Sequence, residues 1–272
     1  MATFTVDAEK CKKDGICAAV CPLGLIEINK DGIPLPVAEA EDMCITCGHC
    51  VAACPTGALS LQNMAVADCP PMKKELALSP EHVEHFLRSR RSIRVYRKTP
   101  VPKEEITRVI EIARFAPTGH NTQPVHWLVY SGPEQIKRLA GLVIGWMREK
   151  MAKKEEIAQL FHMDRVVERW EAGQDTILRQ APVLIVTHGP EGPRTQSSSI
   201  IALAYLELAA LPLGLGGCWA GFFNAAANDF KPLHDELNLP AGHATYGSMM
   251  LGYPLYTYHR LPLRKKPPIA WR

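Results

Sequence analysis

The sequence lacks an uncharged apolar run long enough to cross a bilayer. The nearest candidate, residues 200–223, is interrupted by Glu207, Pro212 and four glycines, so we predict a buried helix followed by a turn. The charged-then-apolar pattern of a secretory signal is also missing from its beginning. We therefore expect a cytoplasmic protein without a membrane partner.

A strong charge of either sign is missing as well. With 31 basic and 28 acidic residues the formal net charge is +3, which is too small to favour nucleic acid as a partner. The charge is unevenly distributed, because residues 1–64 carry 4 basic and 8 acidic side chains while the rest of the chain carries 27 and 20. Since 272 residues correspond to about two domains, we expect two domains of different character.

Several familiar catalytic motifs are absent. There is no G-x-S-x-G nucleophile elbow and no phosphate-binding P-loop. The run G-L-G-G-C-W at residues 214–219 fails the dinucleotide fingerprint G-x-G-x-x-G, because Trp219 stands where the last glycine is needed and a helix is predicted before it. The sequence therefore argues against a Rossmann dehydrogenase.

Cysteine, by contrast, is abundant, and eight of the nine cysteines lie before residue 70. In a cytoplasmic protein this number indicates metal or redox chemistry rather than disulfides. Six of them form a repeat, in which Cys11, Cys17 and Cys21 recur with the same spacing as Cys44, Cys50 and Cys54. Residues 29–32, between the two copies, have the turn chemistry of a β-hairpin.

The second copy of the repeat contains the motif C-x2-C-x2-C-x3-C-P. In bacterial ferredoxins this motif supplies three thiolates to one iron–sulfur cluster and a fourth thiolate to the other cluster. A zinc knuckle also uses paired cysteines, but zinc needs neither the C-P element nor its duplication. We therefore predict two 4Fe-4S clusters. One is assigned to Cys21, Cys44, Cys47 and Cys50, and the other to Cys11, Cys17 and Cys54.

The second of these clusters lacks one thiolate, because Asp14 stands where the repeat would place a cysteine. Three interpretations stay open. Asp14 binds the fourth iron through a carboxylate oxygen, the fourth iron is absent and the cluster is of the 3Fe-4S type, or Asp14 and Gly15 form a turn while solvent completes the site. Cys69 lies outside the repeat and before two prolines, so it is interpreted as structural.

A proline-containing linker is predicted at residues 65–80, between a first domain at 1–64 and a second domain at 81–272. Ser79 and Pro80 have the N-cap pattern of a helix that extends to Arg88. Further helices are predicted after Pro102 and over 135–174 and 200–211, and strands over 126–130, 182–187 and 246–251. Strands and helices mix without a regular βαβ order, which favours an α+β fold.

Three segments of the second domain have the composition of a ligand site. Residues 90–94, R-R-S-I-R, offer guanidinium groups suited to a phosphate, and residues 116–124, A-P-T-G-H-N-T-Q-P, offer side-chain amides. Residues 213–221 are rich in glycine, which lets a backbone approach a ligand closely. Taken alone, each segment has a plainer interpretation: a solvated basic face, a loop, or a tight packing contact.

Together with A-P-V-L-I-V at residues 181–186 and L-G-Y-P at 251–254, and in this order, these segments resemble the nitroreductase family of FMN-dependent oxidoreductases. The whole chain resembles a fused form, in which a two-cluster ferredoxin domain precedes the nitroreductase domain. The resemblance implies a mixed sheet flanked by helices, bound FMN and a homodimer.

The resemblance also implies roles for individual residues. The FMN phosphate and ribityl chain are expected at Arg90, Arg91, Ser92 and Arg94. The loop expected to approach the flavin, typically from the partner subunit, contributes Pro117, Thr118, Gly119, Asn121 and Gln123. The backbone expected along the isoalloxazine ring is that of Trp219, Ala220 and Gly221. The basic residues expected to close on the phosphate are Arg264 and Arg260.

Two departures from the family pattern concern the flavin contacts. The usual Gln-Pro-Trp reads Gln123-Pro124-Val125, with the tryptophan displaced to Trp127. In addition, no lysine precedes the strand that begins near Ala181, where some relatives place one.

The implied activity is the reduction of nitro, quinone or activated-alkene compounds by bound FMN. The electrons would come from NAD(P)H or, through the fused clusters, from a ferredoxin or another redox protein. His120 and His126 are candidate proton donors, although such histidines are more often loop or packing residues. The alternative is an electron-transfer protein, whose acidic first domain docks on a basic redox partner.

Overall fold

The computed structural model describes residues 3–272, which form two compact units. The first unit contains the residues up to 78 together with 120–122, and the second contains residues 79–119 and 123–272. The segment expected to be a linker includes the short 3-10 helices Val66–Asp68 and Lys74–Leu76. Up to residue 78 this segment groups with the first unit.

The first unit is built from short elements. Its strands are β1 (Phe4–Val6), β2 (Ile26–Ile28), β3 (Pro34–Pro36) and β4 (Leu59–Leu61), and its helices are α1 (Ile16–Ala19), α2 (Ala40–Met43) and α3 (His49–Ala53). β1 pairs with β4 and β2 pairs with β3, both antiparallel. The predicted hairpin turn joins β2 to β3, where Asn29 Oδ1 accepts hydrogen bonds from the backbone N–H groups of Asp31 and Ile33, at 3.0 and 2.8 Å.

The cysteine repeat of the sequence is also a repeat of the backbone. α1 and α3 each begin after a left-handed glycine, Gly15 at φ 73° and Gly48 at φ 75°. Glycine adopts this conformation without the strain that a Cβ atom would add. The two glycines therefore turn the chain in the same way, and in both copies the next cysteine, Cys17 or Cys50, lies in the first turn of the helix.

The hydrophobic core of the first unit is small and borders the cysteines. Its buried members are Phe4, Ile26, Cys50, Val51, Leu59 and Leu61. Partly buried cysteines, among them Cys17, Cys21 and Cys44, pack against this core. The predicted cluster ligands therefore lie along the boundary between the interior of the unit and its surface.

The second unit contains the remaining strands and α-helices of the described chain. Its strands are β5 (His126–Ser131), β6 (Val183–Pro190), β7 (Gly216–Trp219) and β8 (His243–Gly252). Its α-helices are α4 (Pro80–Ser89), α5 (Lys103–Ala113), α6 (Pro133–Ala152), α7 (Glu156–Leu160), α8 (Met163–Glu171), α9 (Pro193–Ala210), α10 (Gly221–Asp229) and α11 (Lys231–Leu237). A 3-10 turn, Leu211–Leu213, follows α9. The predicted α+β class is confirmed.

The sheet of the second unit has the strand order β5-β6-β8-β7. The sequence analysis expects a mixed sheet, but every strand pair among residues 3–272 is antiparallel. The reason lies in the strand order. β6 and β7 run in the same direction, but β8 lies between them and is antiparallel to both, so that no parallel pair forms.

The helices follow the predicted positions with two differences. Ser79 caps α4 as expected, its Oγ accepting a hydrogen bond from the backbone N–H of His82 at 3.3 Å. The single helical segment expected at 135–174 is instead three helices, because Lys154 and His162 adopt left-handed backbone conformations between them. α9 begins earlier than predicted, at Pro193.

The sheet separates two hydrophobic cores. Leu184 and Val186 of β6 pack in one core with residues of α6, α8 and α10, while Val183 and Ile185 pack in the other with residues of α5 and α9. This alternation is the period-two pattern of a strand that is buried on both faces. α9 and the turn after it have the length and composition of a membrane span, and Leu203 at the middle of α9 is fully buried in the second of these cores.

Candidate iron–sulfur and cofactor sites

Four cysteines of the first unit surround one small cavity of about 30 Å³. These are Cys21, Cys44, Cys47 and Cys50, the set that the repeat assigns to the complete cluster. Burial, and after it the neighbouring thiols of Cys47 and Cys44, raise the pKa of Cys50 to about 11. Bound iron would offset the cost of burying a thiolate here. The set of four cysteine donors therefore fits an iron–sulfur cluster.

A second group of cysteines lies around Cys17. Burial raises the pKa of this thiol, and the neighbouring thiols of Cys11 and Cys54 raise it further. Although burial opposes ionisation of Cys54, hydrogen bonds from the backbone of Ala58 and from Thr56 lower its pKa below the ordinary value. These three cysteines are the ones assigned to the incomplete cluster.

The two copies of the repeat also share a backbone-to-sulfur hydrogen bond. The N–H of Leu25 donates to Cys21 Sγ at 3.3 Å, and at the equivalent place in the second copy the N–H of Ala58 donates to Cys54 Sγ at 3.2 Å. Donors of this kind stabilise a thiolate and tune the potential of a bound cluster. Each of the two cysteine groups thus includes one cysteine whose sulfur accepts the same local hydrogen bond.

Asp14 lies at the start of α1, where the repeat equates it with Cys47. Its Oδ1 accepts a hydrogen bond from the backbone N–H of Ile16 at 3.1 Å, and Gly15 between them is left-handed. This arrangement is an Asx turn, in which an aspartate side chain mimics a backbone turn. The hydrogen bond occupies one of the two carboxylate oxygens.

Asn121, expected near the flavin, belongs to the first unit. Its side-chain amide donates to the backbone carbonyl oxygens of Ile45 and Thr46, both at 3.1 Å. These carbonyls lie in the loop between Cys44 and Cys47. The structure therefore brings Asn121 to the loop of the complete cluster, a position that the flavin pattern alone does not indicate.

Apart from residues 120–122, the amide loop (residues 116–124) belongs to the second unit. Thr118 and Gln123 line a small cavity with Ala116, Val125 and Trp127, and Thr118 Oγ1 accepts a hydrogen bond from the N–H of Gln123 at 3.1 Å. Pro117 and Gly119 are exposed. The displaced Trp127 thus packs beside the loop that it follows.

A larger cavity, of about 400 Å³, lies at the end of β7 and the start of α10. It is lined by four of the residues expected at FMN: Arg94, Trp219, Ala220 and Gly221. Trp219 is 38% exposed, and a Cβ atom placed on Gly221 would meet no atom within 4 Å. The backbone at this point is therefore open to a flat ligand.

The same cavity contains two residues that the sequence analysis did not identify, Arg179 and Thr176. Thr176 Oγ1 is buried and has no hydrogen-bond partner among the described atoms, which suits a polar ligand group. Arg179 and the following Gln180 both have left-handed backbones, at φ 56° and 51°. The sequence feature that could have identified Arg179 is its basic side chain two positions before Ala181, close to where some relatives carry lysine.

The remaining residues of the R-R-S-I-R segment point in different directions. The N–H of Ile93 donates to the carbonyl oxygen of Gly217 at 2.9 Å, which fixes the segment beside β7. Arg90 Nη1 donates to the buried carboxylate of Glu207 at 2.7 Å, a partner that the sequence analysis did not predict. Arg91 lines a separate cavity of about 490 Å³ with Tyr253 and other residues.

The other predicted phosphate contacts are Ser92 and the two C-terminal arginines. Ser92 Oγ lies 3.5 Å from Arg90 Nη1, and its carbonyl oxygen accepts from Arg94 Nη1 at 3.4 Å. Arg260 and Arg264 are exposed in an irregular segment after β8. Within the second unit the structure thus joins Arg94 with residues 219–221, whereas Arg91, Thr118 and Gln123 line other cavities.

Comparison with protein families gives two matches. The model of the nitroreductase family matches residues 87–253, and the model of the 4Fe-4S dicluster domain matches residues 3–55. The first match covers more than half of the chain. The first matched region contains the residues that line the Arg94 cavity, and the second contains the cysteine repeat.

Individual relatives agree with these matches. A protein described as NADH dehydrogenase from Thermus thermophilus is 32% identical over 201 residues, which are 67% of this chain and 92% of the relative. A putative NADH dehydrogenase/NAD(P)H nitroreductase from Archaeoglobus fulgidus is 27% identical over 166 residues, 61% of this chain and 82% of that protein.

The fold is shared with solved nitroreductases. The crystal structure of a nitroreductase with bound FMN from Desulfitobacterium hafniense superposes with a TM-score of 0.56 at 21% identity. The superposition covers 70% of this chain and 96% of that chain. The strands and helices around the cavity that Arg94 lines are therefore those of a known fold.

Proposed function

Because the chain belongs to the nitroreductase family and carries a 4Fe-4S dicluster domain, we propose that it is an FMN-dependent reductase fed by its own iron–sulfur clusters. The substrates would be nitro, quinone or activated-alkene compounds. The family match and the two relatives confirm the family and the oxidoreductase class that the sequence resemblance implies. The substrate class, the electron route and the homodimer are proposals, as is a location in the cytoplasm.

The iron–sulfur part of the proposal rests on the two cysteine groups. Cys21, Cys44, Cys47 and Cys50 would bind one cluster, and Cys11, Cys17 and Cys54 would bind the other. Such clusters, when bound, accept and donate single electrons. In the carboxylate interpretation Asp14 Oδ2 would be the ligand atom, since Oδ1 already accepts from the backbone of Ile16.

The flavin part of the proposal is carried by one observation, the meeting of Arg94 with residues 219–221 around a single cavity. Arg94 and Arg179 would hold anionic or carbonyl groups of FMN, and the Thr176 hydroxyl would gain the hydrogen-bond partner that it lacks. Bound FMN supplies hydride or electron transfer to the substrate. The backbone at Gly221 would orient the ring, so that no protein side chain need act as the general acid.

The other predicted contacts complete this site in the proposal. Arg90, Arg91 and Ser92 would lie at the phosphate, with Arg264 and Arg260 closing over it. Pro117, Thr118, Gly119, Asn121 and Gln123 would approach from the partner subunit of a homodimer. The cavities that Arg91 and Gln123 line are separate from the Arg94 cavity within one chain, which agrees with a site shared between two subunits.

The flavin site is tested by substituting both cavity arginines, Arg94→Ala with Arg179→Ala. Losing two charge-assisted contacts of about 1.5–3 kcal/mol each should weaken FMN binding by at least about 100-fold. FMN per chain is measured by absorbance after gel filtration. The matched control is Arg108→Ala, which removes an exposed arginine on α5 and should leave the FMN content unchanged. A double variant with a full complement of FMN would overturn this placement.

A second function is favoured by the acidity of the first unit. Residues 1–64 have an excess of four acidic groups before any cluster thiolates are counted. Such a surface would dock a basic redox protein, and small-molecule reduction would then be incidental. The two functions differ in rate. A reductase turns over small substrates in the steady state, whereas an electron-transfer protein shows flavin reduction by a reduced ferredoxin that is much faster than any small-molecule turnover.

A further inference from the structure

Three histidines of the second unit lie side by side on neighbouring strands. His126 opens β5, His188 is near the end of β6, and His243 opens β8. His126 pairs directly with His188 across the ladder. These residues are outside the cysteine repeat and do not line the cavity that Arg94 shares with residues 219–221.

A β-bulge brings the third histidine to the same face as the other two. The register between β6 and β8 shifts between Thr187 and His188, so that His188 pairs with Thr245 and the next residue on that face of β8 is His243. Without the shift, the alternation of the strand would send His243 to the opposite face. The bulge thus creates the group of three.

The spacing of the rings is that of ligands around one metal ion. The ring centroids of the three histidines are separated by 5.3, 5.0 and 5.3 Å. Three imidazoles bound to one tetrahedral zinc ion have centroids about 5.2 Å apart. The Nδ1 atoms of His188 and His243 are 3.1 Å apart, and two nitrogen ligands of one zinc ion are about 3.3 Å apart.

The charge state of the group also suits a metal. Burial, and after it His126 and His243, lower the pKa of His188 to about 4. The buried imidazole is therefore neutral at pH 7. In its hydrogen bond with His243 one of the two Nδ1 atoms carries a proton, and this proton moves to the Nε2 atom of the same ring when an ion binds both Nδ1 atoms. A hydrogen bond between His188 and His243 accounts for that pair alone, and leaves the approach of His126 unexplained.

We propose that His126, His188 and His243 form a binding site for one zinc ion. As the side chains stand, the ring nitrogens of these three histidines do not converge on a single point. His188 and His243 form the fixed half of the site, and rotation of the exposed His126 ring completes it. Three protein ligands leave the fourth position of a tetrahedral ion to water.

The ion would join the three strands at one end of the sheet. β5 is an edge strand of the described sheet, and its first residue is His126. A ligand that binds only the folded state stabilises it by an amount that grows with its concentration over Kd. Zinc should therefore stabilise the second unit at the point where the amide loop enters β5.

The test uses the full-length protein with its clusters and FMN loaded, kept under anaerobic conditions at pH 7.5. Zinc chloride is added, excess is removed by gel filtration, and zinc and iron per chain are measured by mass spectrometry. The wild type should retain one zinc ion per chain with its iron content unchanged. Cys69→Ser should retain it as well, which excludes the Cys69 thiol as the ligand.

Variants assign the ion to the histidines. His126→Gln changes an exposed residue and should weaken zinc binding by more than about tenfold, the loss seen even when a supporting group of a metal site is removed. His188→Gln should abolish retention, while His234→Gln, an exposed histidine on α11, should leave it unchanged. Wild-type protein that retains no zinc, or a His126→Gln variant that binds zinc as tightly as the wild type, would overturn the proposal.

Discussion

The two units differ in how far apart in the sequence their functional residues lie. In the first unit every proposed cluster ligand falls between residues 11 and 54, inside two copies of one short motif. In the second unit the cavity proposed for FMN is lined by Arg94, Arg179 and residues 219–221, which come from three distant parts of the chain. Local spacing therefore specifies the first site, while the second site exists only after the sheet has assembled.

The units also differ in what holds them together. The first unit has a core of six buried residues, and several of its cysteines are only partly buried. The second unit has two extensive cores on either side of its sheet. A small domain with little apolar interior usually depends on metal for its stability. The following experiments test whether this contrast holds.

Removing iron should have the largest effect. Because bound metal contributes on the order of 10 kcal/mol to the folding of small metal-dependent domains, we expect the first unit to unfold when its clusters are extracted. The second unit should stay folded and keep its FMN. Limited proteolysis with mass spectrometry would then show cleavage first within residues 3–78. Equal cleavage rates in both units would show that the first unit does not depend on iron more than the second.

Cys47→Ala should separate the two proposed electron routes. The substitution removes one ligand of the complete cluster, so reduction of FMN by a dithionite-reduced ferredoxin should fall to background. Activity driven directly by NAD(P)H should be largely kept, and stopped-flow absorbance follows both. Cys69→Ala, outside the repeat, is the matched control. Equal loss of both activities would show that the first unit has only a structural role.

Arg90→Ala should destabilise the second unit without touching a cluster. It leaves the buried Glu207 carboxylate without its cation, which costs about 3 kcal/mol at a site of this kind. Thermal unfolding of the protein with its FMN removed gives the change, because Arg90 is also proposed at the FMN phosphate. Arg90→Ala combined with Glu207→Gln should recover more than half of the loss. If the double variant is as unstable as Arg90→Ala alone, the ion pair is not the cause.

Acid should weaken the second unit through His188. Its pKa is about 4 in the folded chain and about 6.5 when unfolded, so the unfolded state binds more protons between these values. The neutral His188 contributes fully to stability above pH 6.5. As the pH falls from 6.5 towards 4, the free energy of unfolding should decrease by about 1–3 kcal/mol. Unfolding is followed with a chelator present, and His188→Gln should show a shallower pH dependence over that range.

The smallest effect is expected at Asp14. A carboxylate is a harder and more weakly held ligand for iron than a thiolate, and it competes with protons. Under mild oxidation or acid the wild type should develop a 3Fe-4S signal in its EPR spectrum while the other cluster persists. Asp14→Cys should slow this iron loss with little change in FMN content. Equal rates in the two proteins would make Asp14 a turn residue.

Much of the first unit follows from its amino-acid sequence. The constant spacing of the repeat predicts the cysteine grouping, and the structure brings Cys21 into one cavity with Cys44, Cys47 and Cys50. The reason is physical: these ligands are separated by short turns, and the left-handed Gly15 and Gly48 fix the same turn in each copy. The α+β class and the family were also within reach of the sequence.

The remaining features depend on tertiary packing. The ion pair of Arg90 with Glu207, the position of Arg179 in the Arg94 cavity and the hydrogen bond of Asn121 to Ile45 each join residues that no local pattern relates. The antiparallel sheet depends on β8 lying between β6 and β7. Such contacts follow from how complete strands and helices pack, and a sequence pattern only describes residues that are neighbours along one element.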